Sequence, residues 1–144
     1  AYDRWWEGRK LWGSYVNNTR NLAHKLNAFL PQDDLENRHW FSKMISNLVA
    51  STRDHLRNEA GYTNLQVPDE HFLPRMRKAI HIPNRISSLL YERVNELYRK
   101  NVITGNHLFV IDKELKEFSD IIGACERIKN TPIPYSYTMY LKQF

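Results

Sequence analysis

The chain has 144 residues, a length typical of a single domain, and such a chain buries roughly two-thirds of its unfolded surface in one core. Apolar residues make up 42% of the sequence and charged residues 26%, which argues against intrinsic disorder. The single cysteine, Cys125, excludes an internal disulfide and a cysteine-ligated metal cluster. The longest apolar run covers only 108–111, far short of the ~20 residues of a membrane-spanning helix. A net charge of +5 is too small to indicate nucleic-acid binding.

Two long helices are predicted in the first part of the chain. The first is about 30 residues long, ends at Pro31 and carries one apolar stripe. The stripe consists of Trp5, Gly8, Trp12, Tyr15, Thr19, Leu22, Leu26 and Phe29. A capping box, in which Asp33 accepts an amide and Glu36 reaches back, predicts the start of the second helix. Its apolar ridges are Trp40, Met44, Leu48, Thr52 and Leu56, with Phe41, Ile45 and Val49, and its opposite, polar face carries Lys43, Ser46, Asn47, Asp54 and Arg57.

The second part of the chain predicts a loop followed by further helices. Residues 61–69 form the loop, and residues 71–82 form one or two short helices interrupted near Pro74. A third long helix follows Pro83 and Asn84 and is broken by the cluster at 104–106. Its inward residues are Ile86, Leu90, Val94 and Leu97, and those of the last helix are Leu108, Ile111, Leu115, Phe118, Ile122 and Cys125. Because no segment alternates with period two, residues 1–144 are predicted to form one all-α domain, a bundle of long amphipathic helices.

The two ends of the sequence are rich in aromatic and basic residues. Trp5, Trp6, Arg9 and Lys10 lie at the start, and Tyr135 and Tyr137 belong to an aromatic group near the finish. Tryptophan and tyrosine gather at membrane–water boundaries, and basic residues gather on the cytoplasmic flank of membrane helices. The pattern allows two interpretations: ordinary core and surface residues of a soluble bundle, which composition alone favours, or segments that flank membrane helices.

A stiff connector follows the last predicted helix at 131–134. Pro132 and Pro134 fix their own φ angles and lack amide donors, and Thr131 and Ile133 each precede a proline, which pushes them out of the α region. The last helix therefore ends by Asn130, and the Ile133 side chain is presented at a set place. A simple helix stop is one interpretation; a hydrophobic ring, formed where several copies meet around an axis, is the other.

Two segments resemble the bestrophin family, most closely its bacterial and fungal branch: YDRWWEGRKLWG at 2–13 and GACERIKNTPIP at 123–134. Bestrophins are homopentameric ion channels with four membrane helices per subunit and a large helical cytosolic part. The resemblance implies that this chain is the cytosolic stretch between the second and third membrane helices, at the cytoplasmic face of a cell membrane. It also implies that Ile133 forms a narrow pore aperture, supported by Thr131, Pro132 and Pro134.

The resemblance further implies partners and cofactors. The chain is expected to assemble with four copies of itself, to contact the membrane through flanking helices and to pass inorganic ions, with chloride the expected ion. No cofactor is expected in this segment, since the calcium clasp of animal family members lies outside it. Residues 1–29 carry five basic and two acidic side chains, so five copies would form a positive vestibule; a positive-inside flank is an equal alternative.

Enzymatic and metal-binding functions find little support in the sequence. The six histidines, at 24, 39, 55, 71, 81 and 107, include no pair at a short ligand spacing, so no metal site is predicted. Glu114, Glu117 and Asp120 are interspersed with lysines and predict a solvated, locally paired face. No convergent set of titratable groups indicates an enzyme. The alternative to a channel is a soluble interaction module that binds acidic partners through its basic first helix.

Overall fold

The structure, a computed structural model, describes residues 2–59 and 61–130. It contains five helices in this part of the chain: α1 (Tyr2–Phe29), α2 (Leu35–Leu56), α3 (Phe72–Arg77), α4 (Ile82–Arg99) and α5 (Gly105–Asn130). The described residues include no strand, so the predicted all-α bundle is confirmed. Within the same residues, no helix combines the length and the apolar composition that crossing a bilayer requires.

The core forms where the predicted apolar stripes meet. Tyr15, Leu22 and Leu26 of α1 are buried, and the predicted inward residues of α4 are buried with them. On α5, the stripe from Ile111 to Cys125 is buried, while Leu108 packs partly buried at its edge. The 3.6-residue period therefore predicted the buried faces of the three helices correctly.

Two prolines that were predicted to lie at an interruption (Pro74) or before a helix (Pro83) instead lie inside first turns. α4 begins at Ile82, so Pro83 belongs to it, and α3 continues through Pro74. The first four amides of a helix have no intrahelical acceptor, so a proline there loses no hydrogen bond and contributes a φ angle suited to the helix. The predicted start of the third long helix after Asn84 and the predicted interruption near Pro74 are therefore wrong.

The cap of α2 and the end of α4 also lie a few residues away from their predicted positions. Asp34, not Asp33, caps α2 and accepts the amide of Asn37 at 3.2 Å. α4 ends before the predicted breaker, and Asn101 follows it with a φ of 59°, a left-handed conformation common after helices. Thr104 then caps α5 by accepting the amide of His107 at 3.1 Å.

α1 and α5 pack along each other in antiparallel directions. Near the middle of α1, Asn18 donates its amide hydrogen to the carbonyl oxygen of Glu114 at 3.0 Å. One end of the pair is joined by the Phe29 and His107 rings, whose centroids are 4.0 Å apart. Later residues of α1 thus contact earlier residues of α5. The start of α1 and the end of α5 consequently lie at the same end of the bundle.

An ion pair reinforces this contact. The Lys25 ammonium lies 2.8 Å from the Glu114 carboxylate and 3.1 Å from the carbonyl oxygen of Val110. Glu114 is buried, so its assignment to a solvated face was wrong. The expectation of local pairing holds for Asp120, which accepts a hydrogen bond from exposed Lys116 at 2.8 Å.

α2 joins this pair through a buried hydroxyl. Tyr15, which is fully buried, is 2.7 Å from Thr52 on α2, and its ring packs against Phe118 on α5. Burial raises the pKa of Tyr15, so the hydroxyl stays neutral. Asn47, predicted on the polar face of α2, is instead buried and forms hydrogen bonds with the backbone of Gln66, which holds the loop against α2.

We expect Glu114→Gln to lower the free energy of unfolding by about 1–3 kcal/mol, because it removes a charge-assisted hydrogen bond from a poorly solvated site. Asp120→Asn is the matched control, since the pair of Asp120 with Lys116 is exposed to solvent and is therefore expected to contribute much less to stability. Urea denaturation followed by circular dichroism measures both changes. Equal losses in the two variants would contradict a structural role for the buried pair.

Candidate functional site

The start of α1 carries an aromatic–basic patch made of Trp5, Trp6, Arg9 and Lys10. The two indole rings stack with centroids 6.0 Å apart. The Arg9 guanidinium lies 5.3 Å from the Trp5 ring, and the Lys10 ammonium lies 5.8 Å from the Trp6 ring. The four-residue helical spacing produces both contacts, which are cation–π interactions. Trp6 remains 48% exposed, so the patch is available for contact at the end of the bundle where α5 finishes.

The exposed side of α1 is polar and lacks acidic residues beyond its second turn. Between Glu7 and Asp33 the sequence contains no carboxylate. The exposed polar side chains of this α1 polar face are Arg9, Lys10, Ser14, Asn17, Arg20, Asn21, His24 and Asn27. Lys25 is neutralised by Glu114, so the positive charge of the face comes from Arg9, Lys10 and Arg20. The face extends from Arg9 to Asn27, about 27 Å at ~1.5 Å per residue, and its three positive charges make it a mildly basic surface.

A cluster of two histidines and one glutamate joins three helices near the end of α5. His55 lies in the last turn of α2, His81 caps α4, and Glu126 lies in the last part of α5. Both imidazole Nε2 atoms approach one carboxylate oxygen of Glu126, at 2.8 Å from His55 and 3.1 Å from His81. The centroids of the two imidazole rings are 4.2 Å apart. The three side chains are about a quarter to a third exposed, so the His55–His81–Glu126 cluster is open to solvent.

The hydrogen bonds of the cluster determine which nitrogen of His81 carries a proton. Its Nδ1 accepts the backbone amide of Asn84 at 3.1 Å, as the cap of α4 requires. A neutral imidazole with an accepting Nδ1 carries its proton on Nε2, which then donates to Glu126. Burial alone would raise the pKa of Glu126, but the hydrogen bonds and charges of His55 and His81 outweigh it and lower this pKa below its usual range.

The end of α5 has two further features. The Lys129 ammonium donates to the carbonyl oxygen of His55 at 3.1 Å and also binds the side chain of Asn58. Cys125 is buried, as predicted, and burial, with the nearby Glu126 charge, raises the pKa of its thiol to about 11. The thiol is therefore protonated at neutral pH and acts as a small apolar side chain.

The predicted site residues divide into two groups. The structure brings Trp5, Trp6, Arg9 and Lys10 together at the start of α1. The aperture residue Ile133, its supporting residues Thr131, Pro132 and Pro134, and the membrane-flanking Tyr135 and Tyr137 lie outside the described residues.

Sequence reasoning missed the His55–His81–Glu126 cluster. It looked for histidines close together along the chain, whereas His55 and Glu126 are separated by 71 residues. The one available signal was the position of each residue at a predicted helix end, because adjacent helix ends can bring remote residues together.

Comparisons with known proteins agree with the sequence resemblance. A family profile described as "Bacterial/Fungal Bestrophin protein" matches residues 1–144. A protein of Nostoc sp. named as a voltage-dependent anion channel-forming protein is 33% identical over 99% of this chain and 48% of its own length. A protein of Synechocystis sp. with the same designation is 30% identical over 99% of this chain and 48% of its own length.

Structural comparison leads to the same family. The crystal structure of a bacterial bestrophin homologue from Klebsiella pneumoniae, with the mutation Y211A, superposes with a TM-score of 0.81 at 25% identity. It matches 99% of this chain and 53% of the other, so this chain spans about half the length of the relatives it resembles. These relatives are named as channel-forming proteins and not as enzymes, which agrees with the prediction of a non-enzymatic protein. With this fold and a family match over its whole length, the chain belongs to the bacterial and fungal bestrophins.

Proposed function

We propose that this chain is the cytosolic pore region of a homopentameric anion channel, that chloride is the conducted ion, and that the region lies at the cytoplasmic face of a cell membrane. The observation that carries the proposal is the antiparallel pairing of α1 with α5, in which Asn18 binds Glu114 while Phe29 stacks on His107. This pairing brings the start of α1 and the end of α5 to one end of the bundle. A region inserted between two membrane helices needs this arrangement, because both of its ends must approach the same membrane surface.

The aromatic–basic patch supports this orientation. Trp5, Trp6, Arg9 and Lys10 lie at the same end of the bundle as the last turn of α5. Amphipathic indole rings favour the headgroup region, and arginine and lysine favour the cytoplasmic flank of a membrane helix. With α1 continuing a membrane helix into the cytosol, the patch occupies the membrane boundary and the rest of α1 extends away from it.

The α1 polar face supports anion conduction. Five copies of this face around an axis would line a vestibule with arginine, lysine and asparagine side chains and, beyond Glu7, with no carboxylate from α1. Such a surface produces a positive potential that raises the local concentration of anions. The named relatives, described as anion channel-forming proteins, agree with this sign of charge.

Ile133 is the proposed aperture of this pore. Its flanking prolines restrict the backbone, and five aliphatic side chains around an axis would form a narrow apolar ring. An ion passing such a ring loses part of its hydration shell, so the ring both limits the current and discriminates among ions.

Replacing Ile133 by alanine in the full-length protein tests the aperture. We expect Ile133→Ala to increase single-channel conductance and weaken discrimination among anions, because a smaller side chain widens the ring. Ile80→Ala is the matched control, since Ile80 is fully exposed on the outside of the bundle. Recordings in planar lipid bilayers measure both variants, and unchanged conductance and ion preference for Ile133→Ala would contradict the proposal.

Neutralising Arg20 tests the vestibule. We expect Arg20→Gln to reduce anion conductance at low ionic strength and to lose most of this effect in concentrated salt, since the Debye length falls from ~30 Å at 0.01 M to ~3 Å at 1 M. Lys113→Gln, an exposed position on α5, removes the same charge away from the proposed lining. A similar reduction in both variants would show that only net charge matters and would count against an α1-lined pathway.

A further inference from the structure

The His55–His81–Glu126 cluster has no role in the proposed conduction pathway, yet it combines three metal-ligating groups. We propose that these side chains form a binding site for a divalent transition metal, with zinc as the ion that best fits their chemistry. The inference is independent of the proposed channel function, since it depends only on residues whose geometry is described.

The spacing of the ligand atoms is close to that of a zinc site. One imidazole nitrogen from each of His55 and His81 and a carboxylate oxygen of Glu126 all lie within 4.8 Å of one another, and both Nε2 atoms contact that carboxylate. Zinc binds imidazole nitrogen at ~2.0–2.1 Å and carboxylate oxygen at ~2.0–2.2 Å in tetrahedral geometry, which places neighbouring ligand atoms about 3.3–3.5 Å apart. The two hydrogen-bonded contacts, at 2.8 and 3.1 Å, would lengthen slightly as the ion enters between the nitrogens and the oxygen.

The surroundings favour metal entry and a stable ligand set. Two imidazoles and one carboxylate are a common zinc combination that leaves a fourth position for water, and partial exposure of all three side chains gives the ion and water access. The backbone around His55 is held by Lys129, which donates to the His55 carbonyl oxygen. The Lys129 ammonium also donates to the side-chain oxygen of Asn58. Its two acceptors, the His55 carbonyl oxygen and the Asn58 side chain, both lie near the end of α2.

Metal binding requires a change of tautomer in His81. In the structure its Nδ1 accepts the Asn84 amide, so its Nε2 carries the proton. A metal ion binds the lone pair of Nε2, so the proton on Nε2 must move to Nδ1. A protonated Nδ1 can no longer accept the hydrogen bond from the amide of Asn84. Zinc binding and this cap of α4 are therefore mutually exclusive. This competition predicts moderate affinity and a local signature, a change confined to the first turn of α4.

The location of the site gives zinc a structural consequence. Its three ligands come from α2, α4 and α5, and Glu126 lies five residues before Thr131. A bound ion would cross-link the three helices at the end of the bundle from which the sequence continues to Ile133.

Zinc titration of the full-length protein tests the proposal, with His81→Asn as the principal variant. Asparagine is among the best helix-capping residues, so His81→Asn keeps a cap on α4 while it removes one ligand. We expect the wild type to bind one more zinc ion per chain than this variant, or to bind that ion at least ~100-fold more tightly, because loss of an outer-shell partner alone typically costs 10–100-fold. Glu126→Gln, which keeps the shape of the side chain, is expected to behave in the same way.

His71→Gln is the matched control. His71 lies 3.4 Å from Glu70 on the surface, so the variant removes a histidine beside a carboxylate without changing the cluster. Isothermal titration calorimetry gives the stoichiometry, and the amide resonance of Asn84 reports release of the cap. Equal zinc stoichiometry and affinity in the wild type, His81→Asn and Glu126→Gln would overturn the proposal, as would zinc binding that leaves the Asn84 resonance unchanged.

Discussion

The antiparallel contact between α1 and α5 is the constraint on which the rest of the bundle depends, and Glu114 contributes to its register. A slip by one helical turn, ~5.4 Å, would require the close-packed side chains of the seam to repack. Here such a slip would separate the buried Glu114 carboxylate from Lys25 and leave a charge without its partner, which is strongly unfavourable. The ion pair therefore favours this register, together with the Asn18–Glu114 and Phe29–His107 contacts, and the register brings the first turn of α1 towards the last turn of α5.

The position of α2 follows from the same register. Tyr15 packs its ring on Phe118 of α5 and bonds Thr52 of α2 through its hydroxyl, so one side chain relates the three helices. His55 lies three residues, just under one turn, beyond Thr52, and Glu126 lies eight residues, about two turns, beyond Phe118. Both side chains therefore lie on the same side of the Tyr15 contact, towards the ends of α2 and α5, where they form their hydrogen bond.

Local information in the sequence was sufficient to predict that the long helices exist and which faces they bury. It was insufficient to predict the burial of polar residues whose partners lie far away in the sequence. Periodicity predicted the stripe that contains Leu22 and Leu26 because side-chain spacing on a helix depends on the helix alone. The start of α4 was predicted too late because a proline is compatible both with a loop before a helix and with the first turn of the helix. Glu114 and Asn47 appeared to be surface residues, since nothing near them in the sequence reveals Lys25 or the backbone of Gln66 as partners.

The end of α5 takes its position from α2 as well as from its own core contacts. Glu126 binds His55, and Lys129, three residues later on the same side of α5, binds the carbonyl oxygen of His55. Two side chains about one turn apart thus hold the last part of α5 against the end of α2, and they control both its tilt and its rotation. The position and direction of the last turn of α5, up to Asn130, therefore depend in part on α2.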